Sequence, residues 1–466
     1  MRVLLVLPEY GSEVRGGIAR FYHHAVSGLL SAGCTVDVCV ASLDQVDASA
    51  NGVLVRKPTQ GAVLAAEQRL SHLSLFPAVL KQLALAFAAY HECKGGKDYD
   101  IVETTDWGLL YVPWLAEASD RPPVVVQLHG SPGQIGYKDP LAEEELSALL
   151  TRALETIYLP RSDDLQTSGM NNAEDWQRLL GKKVRRILPA WSTASTTLHP
   201  NTPKAFGVVA ARLQSWKGPE LLCKACRELG GRSPTILWVG EDHPFQSYGQ
   251  TTSSYLSKNY PDVWGSKIIS IGSQSQVMTR AIQSQAGFVV HPSSWDVFGL
   301  AVVEAMAAGK VVICSDQAGA SCLIEHGKNG FVYPGQDFHQ LAHLLEKVSN
   351  FDAATLFDMG DAARRAITDN LDVTRITRAR LDAYSELLPG RNASGHPWVE
   401  RVLAPDQSSQ TVETVLLDRM PLKQLVAYVG RRALRRCFVR PNVTSARALA
   451  PDEVSALLDK TAEFKS

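Results

Sequence analysis

Short apolar runs alternate with longer amphipathic stretches along most of this chain, and no other feature of the sequence restricts its fold more. The first run, VLLVL at residues 3–7, directly follows the N-terminal Met-Arg and fits a first buried strand. Strands that alternate with helical segments are typical of a parallel sheet wrapped by helices. We therefore predict an α/β fold.

The predicted strands fall into two series. The first comprises residues 3–7, 35–41, 101–103, 124–128, 156–159 and 184–188. The second comprises residues 205–209, 235–239, 268–271, 287–290 and 311–314. Between them lies PNTP, residues 200–203, which has the composition of a linker. We predict two doubly wound, Rossmann-like domains, residues 1–200 and 201–373, with ligand at the carboxyl ends of their strands.

The chain beyond the second series is predicted to form a closing helix, residues 374–390, and then a tail, residues 391–466, that is partly helical. The stretch PGRNASGHP at residues 389–397 separates the two. The tail has 12 Lys and Arg against 8 Asp and Glu, a net charge of +4, whereas the residues before it carry −5. Charge is therefore distributed asymmetrically along the chain.

The composition is that of an ordinary globular protein, with 45% hydrophobic residues and a formal net charge of −1. This charge lacks the basic excess of a dedicated nucleic-acid-binding protein, so no nucleic-acid partner is expected. The 8 cysteines are scattered, as in reduced cytosolic proteins, and the lone CxxC of Cys223 and Cys226 favours core packing over a metal or redox site. No stretch reaches the roughly 18 to 20 apolar residues of a spanning helix. We expect a cytoplasmic protein.

The first candidate binding segment is EYGSEVRGGIARF, residues 9–21, which follows the first strand and leads into a predicted helix. Gly16 and Gly17 lack Cβ atoms, so a ligand can approach the backbone, and the N–H groups of a helix start favour an anion such as phosphate. The alternative is a glycine pair required only by turn geometry. That alternative stays open because neither a GxGxxG nor a Walker A pattern is present.

The second segment is AARLQSWKGPELL, residues 210–222, directly after a predicted strand. Arg212 and Lys217 fall in a strand-to-helix loop at the carboxyl edge of the sheet, where a pair of cations can neutralise a diphosphate. The competing interpretation is that both side chains are solvated surface cations.

The third segment is HPSSWDVFGLAVVE, residues 291–304, where a strand ends and a helix is predicted over residues 298–308. Asp296 lies in the loop and Glu304 about one turn into the helix, so a carboxylate stands on each side of the helix start. The amides at that start belong to Phe298, Gly299 and Leu300. Amides for a phosphate and carboxylates for hydroxyls suit a sugar nucleotide. Alternatively, Asp296 is a helix cap and Glu304 a surface residue.

Together these segments resemble the retaining glycosyltransferases of family 4, which have the GT-B fold of two Rossmann-like domains facing across a cleft. The resemblance covers most of residues 1–388. It rests on segments that occur in the family's order, namely RGGIARF, YDIVETTDWG, VVVQLHG, ARLQSWKG, DVFGLAVVEAMAAGKVV and EHGKNGFV. It also brings in Asp106 and His129, which follow strands of the first domain and are expected on the acceptor side.

The chain departs from the family pattern around its acidic residues. Asp296 replaces the usual Glu and is one methylene shorter, and Val297 replaces the proline that usually follows. Ala318 and Cys322 stand where the family often has a glycine and a carboxylate. These differences alter reach and loop rigidity, and they leave the donor sugar unspecified.

The resemblance implies a retaining hexosyltransferase that moves a hexose from a nucleotide-diphosphate sugar to a hydroxyl of a glycan, lipid-linked or small-molecule acceptor. Arg212 and Lys217 would stabilise the leaving diphosphate, and Asp296 and Glu304 would bind the sugar and the ribose. His129 would line the cleft near the sugar or the acceptor. The nucleotide sugar is a co-substrate, so no cofactor is implied.

The sequence also bears on metal dependence and on rival activities. The metal-using GT-A enzymes carry an Asp-x-Asp after a strand, whereas Asp98-Tyr99-Asp100 precedes the predicted strand at residues 101–103 and fits a structural turn. We expect no required metal. A non-hydrolysing sugar-nucleotide epimerase and a catalytically silent sugar-nucleotide-binding subunit remain alternatives, and a nicotinamide dehydrogenase is disfavoured because no strand is followed by GxGxxG.

The tail contains LKQLVAYVGRRALRRCFVR, residues 422–440, in which apolar residues at helical spacing are surrounded by basic ones. Such a helix can lie on an anionic membrane surface, which would place the protein peripherally at the inner membrane. The alternative is that the apolar stripe packs on the N-terminal domain while the arginines are solvated.

Overall fold

The computed structural model describes residues 1–11, 16–44, 52–116, 121–138, 146–192, 204–245, 250–388 and 448–463, with a few positions between 421 and 433. The predicted linker at residues 200–203 lies outside the described residues, as does most of the predicted membrane-binding stretch. The chain divides into two compact units. Unit 1 comprises the described residues of Met1–Tyr137, Glu144–Ala190 and Val373–Phe438, and unit 2 those of Lys138–Glu143, Trp191–Asp372 and Val439–Ser466.

Unit 1 is built on a parallel sheet with the strand order β3-β2-β1-β4-β5-β6-β7. Its strands are β1 Arg2–Leu7, β2 Thr35–Val40, β3 Leu54–Arg56, β4 Ile101–Thr105, β5 Val124–Leu128, β6 Asp164–Thr167 and β7 Arg185–Arg186. Its helices up to β7 are α1 Gly17–Ser31, α2 Gln60–Arg69, α3 Pro77–Glu92, α4 Val112–Ala116, α5 Pro132–Lys138, α6 Leu146–Tyr158 and α7 Met170–Leu180. Strand β1 is fully buried from Val3 to Leu7, as a central strand covered on both faces must be.

Unit 2 is built on a second parallel sheet, ordered β12-β9-β8-β13-β14-β15, with a separate small antiparallel pair, β10 and β11. Its strands are β8 Lys204–Ala210, β9 Thr235–Val239, β10 Pro244–Phe245, β11 Gln250–Thr251, β12 Ile268–Ser270, β13 Ala286–His291, β14 Val311–Ser315 and β15 Phe331–Tyr333. Its helices up to residue 370 are α8 Pro219–Leu229, α9 Thr252–Asn259, α10 Gln276–Gln285, α11 Leu300–Ala307, α12 Phe338–Ser349 and α13 Ala353–Asn370. The prediction of two parallel, helix-wrapped sheets is confirmed.

One predicted strand is wrong. Residues 156–159 belong to the end of α6 and the turn after it, because Leu154 and Tyr158 lie four residues apart on the buried side of that helix. The strand that follows in the sheet is instead β6, with the sequence DLQT. Its polar residues are buried between β5 and β7, and a polar stretch carries no hydrophobic signal that predicts a strand.

The helix after the second series is α14, Val373–Leu387, and it packs within unit 1. It meets the buried carboxylate of Glu103 on β4, which accepts hydrogen bonds from Arg380 at 2.6 Å, from Tyr22 of α1 at 2.7 Å and from Tyr384. Arg380 and Glu103 are 3% and 0% exposed. Removing one partner of such a buried pair leaves an uncompensated charge, so the closing helix is anchored to α1 and β4 together.

The end of the tail forms a further helix, α15, Pro451–Glu463, which packs on unit 2. Val454 and Leu458 are buried in a cluster with Phe206 and Val208 of β8. The chain just before α15 is held to the same unit because the amide of Leu449 donates to the carbonyl of Ile271 at 3.2 Å. The last part of the predicted tail therefore completes the core on one face of the second sheet.

Candidate active site

The loop that carries Arg212 and Lys217 lies at the carboxyl edge of the second sheet. It follows β8 and is tied to the chain after β9, because the amide of Leu213 donates to the carbonyl of Glu241 at 2.8 Å. Arg212 is exposed. The side chain of Lys217 is only 12% exposed, so the solvated-cation interpretation does not hold for Lys217.

A second loop packs directly against the first one. Gly218, which starts α8, has φ 77°, and a Cβ at this position would lie 1.9 Å from the carbonyl oxygen of Pro292. Glycine is required both for the backbone conformation and for the close approach. Ser294 adds two hydrogen bonds to the carbonyl of Trp216, from its amide at 2.9 Å and from its hydroxyl at 3.0 Å. The two loops therefore form one fixed structure.

This close packing brings Lys217 and Asp296 into direct contact. The Nζ atom of Lys217 is 2.5 Å from Oδ2 of Asp296, and the Nε2 atom of His291 is 3.1 Å from the same oxygen. Burial on its own would raise the pKa of Asp296, but the Lys217 ammonium and His291 outweigh it and hold that pKa well below its usual range. Asp296 is thus a carboxylate at neutral pH.

The charges around Lys217 are grouped closely. Burial lowers the pKa of Lys217, Asp296 opposes that shift, and the charge of Arg212 acts in the same direction as burial. The Nζ atom of Lys217 also lies 3.9 Å from the ring centroid of Trp216. The Trp216 ring packs against that of Trp295, with the two ring centroids 5.8 Å apart. The ion pair is therefore flanked by aromatic groups that limit its access to water.

The backbone of Asp296 is held by the segment in which the chain departs from the family pattern. Its amide donates to the carbonyl of Gln317 at 3.1 Å, and its carbonyl accepts from the amide of Gly319, also at 3.1 Å. Ala318, between these residues, is fully buried, whereas Cys322 is exposed. The position of Asp296 is thus set by backbone pairing and not by its side chain alone.

Helix α11 begins at Leu300, two residues later than predicted, because Gly299 has φ 87° and serves as the N-cap without a side-chain cap. The interpretation of Asp296 as a mere helix cap is therefore wrong. Phe298 is 5% exposed, and Glu304, one turn into the helix, is half-buried. The structure thus brings the uncapped helix start, Asp296 and Lys217 to the same edge of unit 2.

In unit 1, the glycine pair lies at the start of α1, where Gly16 is the N-cap, and the Glu9 carboxylate of the chain itself contacts this helix start. Oε1 of Glu9 accepts from the amide of Ala19 at 3.2 Å. A Cβ at Gly16 would overlap the Glu9 carboxylate at 1.5 Å. Gly17 begins the helix. The start of α1 therefore faces Glu9, which the sequence analysis did not single out.

Asp106 and His129 directly follow β4 and β5, and the structure brings them together. The contact joins the Asp106 side chain to the backbone of His129, not to its imidazole. The fully buried carboxylate of Asp106 accepts from the amides of His129 at 2.9 Å and Gly130 at 3.0 Å. Burial raises the pKa of Asp106 to about 7, against the opposing effect of these hydrogen bonds. Asp106 thus braces the loop that carries His129.

The imidazole of His129 packs edge-on against Phe21 and Tyr22 of α1, with ring centroids 4.8 and 5.8 Å away. Burial, assisted by the charge of Arg380, lowers the pKa of His129 to about 3. His129 is therefore neutral at physiological pH. Within the described part of the chain, its Nε2 atom has no hydrogen-bond partner.

A further carboxyl group, Glu155 of α6, supports the same loop and was not predicted. It is 2% exposed and lies against Gly133, where a Cβ would be 2.4 Å from its Oε2. Burial raises the pKa of Glu155 to about 8, although hydrogen bonds from Ser131 and Gly133 act in the opposite direction. The loop at residues 129–133 thus rests on two buried carboxyl groups.

The predicted residues are accordingly grouped by unit. Unit 2 holds Arg212, Lys217, Asp296, Phe298, Gly299, Leu300 and Glu304, and unit 1 holds Gly16, Gly17, Asp106 and His129. Sequence reasoning missed His291, Glu9 and Glu155. His291 stands at the end of a predicted strand, which could have marked it, whereas Glu155 lies in a helix with no such signal.

Acidic, histidine and cysteine side chains outside the two loops have structural surroundings. Across the described ranges, no group of three or more His, Cys, Asp or Glu side chains is arranged to hold a metal ion. Asp100 accepts the amide of Arg2 at 2.7 Å, in keeping with a structural turn. Cys223 and Cys226 are free, lie on α8 and are buried in the core of unit 2, in agreement with the core-packing interpretation.

Two family profiles match this chain. Glycosyltransferase Family 4 matches residues 15–190 and Glycosyl transferases group 1 matches residues 195–366, so together they span well over half of the chain. The chain belongs to the GT-B glycosyltransferases. Each profile falls almost wholly within one of the two sheet-containing parts of the chain, as the GT-B arrangement of two Rossmann-like domains requires.

Individual proteins support the same assignment. The glycogen synthase of Mycobacterium tuberculosis is 25% identical over 408 residues, which are 82% of this chain and 94% of that protein. The D-inositol 3-phosphate glycosyltransferase of Pseudarthrobacter chlorophenolicus is 30% identical over 188 residues, 39% of this chain and 43% of that protein. The second is a glycosyltransferase by name, and the first is similar to this chain over nearly its whole length.

Solved structures share the fold at lower sequence identity. The sucrose-phosphate synthase of Thermosynechococcus elongatus superposes with a TM-score of 0.64 at 19% identity, covering 83% of this chain and 99% of that one. HepE of Anabaena, in complex with UDP and glucose, gives a TM-score of 0.58 at 17% identity, covering 83% of this chain and 100% of that one. The share of this chain left uncovered is close in size to the segment that follows α14.

Proposed function

We propose that this glycosyltransferase transfers a hexose from a nucleotide-diphosphate sugar to an acceptor hydroxyl with retention of the anomeric configuration. The acceptor is a glycan, a lipid-linked molecule or a small molecule, reached from the cytoplasmic side. The observation that carries the proposal is the contact of Lys217 with Asp296 beside the uncapped start of α11.

The donor diphosphate in this proposal binds to Lys217, Arg212 and the amides that precede α11. A diphosphate carries more negative charge than the single carboxylate that Lys217 contacts, so it competes well for the ammonium group. Charge grows on the departing diphosphate during transfer, and each preorganised donor aimed at it supplies about 2.7 to 4 kcal/mol. Arg212 is exposed and can follow the phosphate as it leaves.

The sugar and ribose hydroxyls bind to carboxylates in this proposal. Asp296 accepts from the sugar and Glu304 from the ribose, while no side chain is assigned as an enzymic nucleophile. Ionised Asp296 is suited to this role because a carboxylate only accepts hydrogen bonds.

The acceptor side is assigned to unit 1. His129 contributes a neutral imidazole whose Nε2 can contact a sugar or acceptor hydroxyl, and Asp106 acts indirectly by holding the His129 backbone. Gly16 and Gly17 remain donor-binding candidates. A phosphate at the start of α1 would have to displace the Glu9 carboxylate, because two anions do not share one helix start.

The first test is a thermal-shift screen of the whole chain against UDP, GDP, ADP and related nucleoside diphosphates. A ligand at about 100 times its dissociation constant stabilises the folded state by about 2.7 kcal/mol. The matching sugar nucleotide is then incubated alone and with acceptors, and the product anomer is determined by NMR. Retention with nucleotide release supports the proposal. Isomerisation of the donor without acceptor, or binding without turnover, contradicts it.

The tail segment at residues 422–440 contacts an anionic membrane surface in this proposal. Its described apolar positions, Leu422, Val426 and Val429, are 74%, 62% and 57% exposed, which argues against their packing on unit 1. Each basic residue near such a surface adds about 1 kcal/mol. No helix in the described ranges is long and apolar enough to cross a bilayer.

The membrane contact is tested by co-sedimentation with anionic and neutral liposomes at low and high salt. The intact chain is compared with a variant in which four arginines of the segment are changed to Gln, namely Arg431, Arg432, Arg435 and Arg436. Loss of pelleting in the variant supports the contact, and equal pelleting of both proteins on anionic liposomes disproves it.

A further inference from the structure

His291 is a third member of the Lys217 and Asp296 contact. It is the last residue of β13, and its side chain is 5% exposed. Its Nε2 atom lies 3.1 Å from Oδ2 of Asp296 and 3.2 Å from the hydroxyl of Ser293. Because ionised Asp296 can only accept, the ring nitrogen that faces it must carry a hydrogen. His291 is therefore a donor to Asp296.

The neighbouring backbone keeps His291 in this place. A Cβ at Gly299 would lie 2.9 Å from Nε2 of His291, so glycine at the N-cap of α11 leaves just enough room for the ring. The backbone of Asp296 is paired on both sides with residues 317–319. The Asp296 carboxylate can consequently move only by rotation about its side-chain torsions. Its contacts with Lys217 and His291 determine those torsions.

Donor binding affects the two partners of Asp296, Lys217 and His291, differently. Under the proposed function, Lys217 has to turn from Asp296 to the donor diphosphate. The Asp296 side chain is only 15% exposed, and withdrawing one partner from a largely buried carboxylate leaves its charge poorly compensated. His291 is buried, and the proposed function gives it no contact with the diphosphate.

We propose that His291 is a positioning residue for Asp296, which it holds toward the donor sugar while Lys217 exchanges Asp296 for the donor diphosphate. This inference rests on the proposed function and deepens it. The short side chain at position 296 makes such support more important, since the Glu usual in the family reaches one methylene further.

The experiment compares His291→Leu, which removes the donor, with His291→Gln, whose amide nitrogen takes nearly the place of Nε2. The control is His339→Leu, the same change on α12, where the imidazole is 70% exposed. For each protein, kcat and KM are measured for the sugar nucleotide, and Kd is measured by calorimetry for the nucleoside diphosphate chosen in the thermal-shift screen.

Loss of a hydrogen bond to a charged group corresponds to about a 10- to 100-fold effect. His291→Leu should lower kcat/KM for the sugar nucleotide by that factor, while Kd for the sugar-free diphosphate changes by less than about threefold. His291→Gln should recover most of the loss, and His339→Leu should behave as the wild type. If His291→Leu does not fold, His291→Asn replaces it, because the shorter amide withdraws the donor but keeps polarity.

Three results overturn the inference. These are kcat/KM of the Leu variant within about threefold of the wild type, equal losses in the Leu and Gln variants, or an equal loss of diphosphate affinity. If the wild type transfers no sugar from any donor, the proposed function fails instead. The contact is then judged from a thermal-stability cycle of His291→Leu and Asp296→Asn, where additive losses of Tm would overturn it.

Discussion

Gly218→Ala tests whether the close approach of two loops places Lys217 beside Asp296. An alanine at φ 77° is in the left-handed region, which costs roughly 1 to 2 kcal/mol. Its Cβ would also lie 1.9 Å from the carbonyl oxygen of Pro292, whereas real Cβ atoms stay at least 3.0 Å away. The loops must separate by about 1 Å, and forced overpacking of this kind costs about 1 to 3 kcal/mol more.

The separation acts on catalysis as well as on stability. Moving the loop by about 1 Å lengthens the 2.5 Å contact of Lys217 with Asp296, and a misplacement of that size in an active site can cost about 100-fold in rate. We therefore expect Gly218→Ala to lose about 2 to 5 kcal/mol of unfolding free energy and about 100-fold in kcat.

The matched control is Gly265→Ala, also in unit 2, where φ is 90° and nothing lies within 4 Å of the added Cβ. It carries the backbone cost without the clash. Both variants and the wild type are unfolded in urea, followed by tryptophan fluorescence, and kcat is measured on the folded proteins. Equal destabilisation by the two substitutions, with kcat unchanged in Gly218→Ala, would refute the reasoning.

Three further predictions concern charged groups. Arg212→Ala and Lys217→Ala should each lower kcat by at least about 100-fold without unfolding the protein, and near-normal turnover in either would rule out its role at the diphosphate. Asp296→Ala should lose most activity in the transfer assay, while Asp296→Glu should be tolerated or change donor preference; a fully active Ala variant would contradict the assignment. Burial raises the pKa of Glu155 to about 8. The protonated carboxyl group therefore contributes fully to stability below the pKa of an unfolded Glu, and this contribution is lost as the pH rises toward 8. Glu155→Gln should therefore gain stability relative to the wild type between about pH 5 and pH 8, by up to about 1.4 kcal/mol per pH unit in urea titrations, and a pH-independent difference would contradict this.

The α/β class, the two parallel sheets and most of their strands could be predicted from sequence because buried strands of parallel sheets consist of apolar residues. Strand β1 shows this directly, since Val3 to Leu7 are all buried. The same rule failed for β6, whose DLQT sequence is polar, and for residues 156–159, whose apolar residues belong to a helix. Periodicity over a few residues cannot separate a buried strand from a buried helix end.

In the candidate site, too, some features could be predicted from sequence and others could not. Arg212, Lys217 and Asp296 could be named in advance because each follows a strand, and parallel strands end at one edge of their sheet. Their partners could not be named. Strand ends predict neither contact of Asp296. The contact with Lys217 depends on how tightly two loops pack, and the contact with His291 depends on the path of the chain between residues 291 and 296.

By itself, therefore, the sequence determined most of the strands of the two parallel sheets, the glycosyltransferase family and the loops that carry the charged residues. These properties follow from local patterns of apolar, glycine and charged residues. Only the tertiary structure decided which charges pair, that Glu9 faces the start of α1 and that the Asp106 carboxylate accepts the amides of His129 and Gly130. Such contacts join residues far apart in the chain, and distances of a few ångström depend on packing between loops that local sequence patterns do not encode.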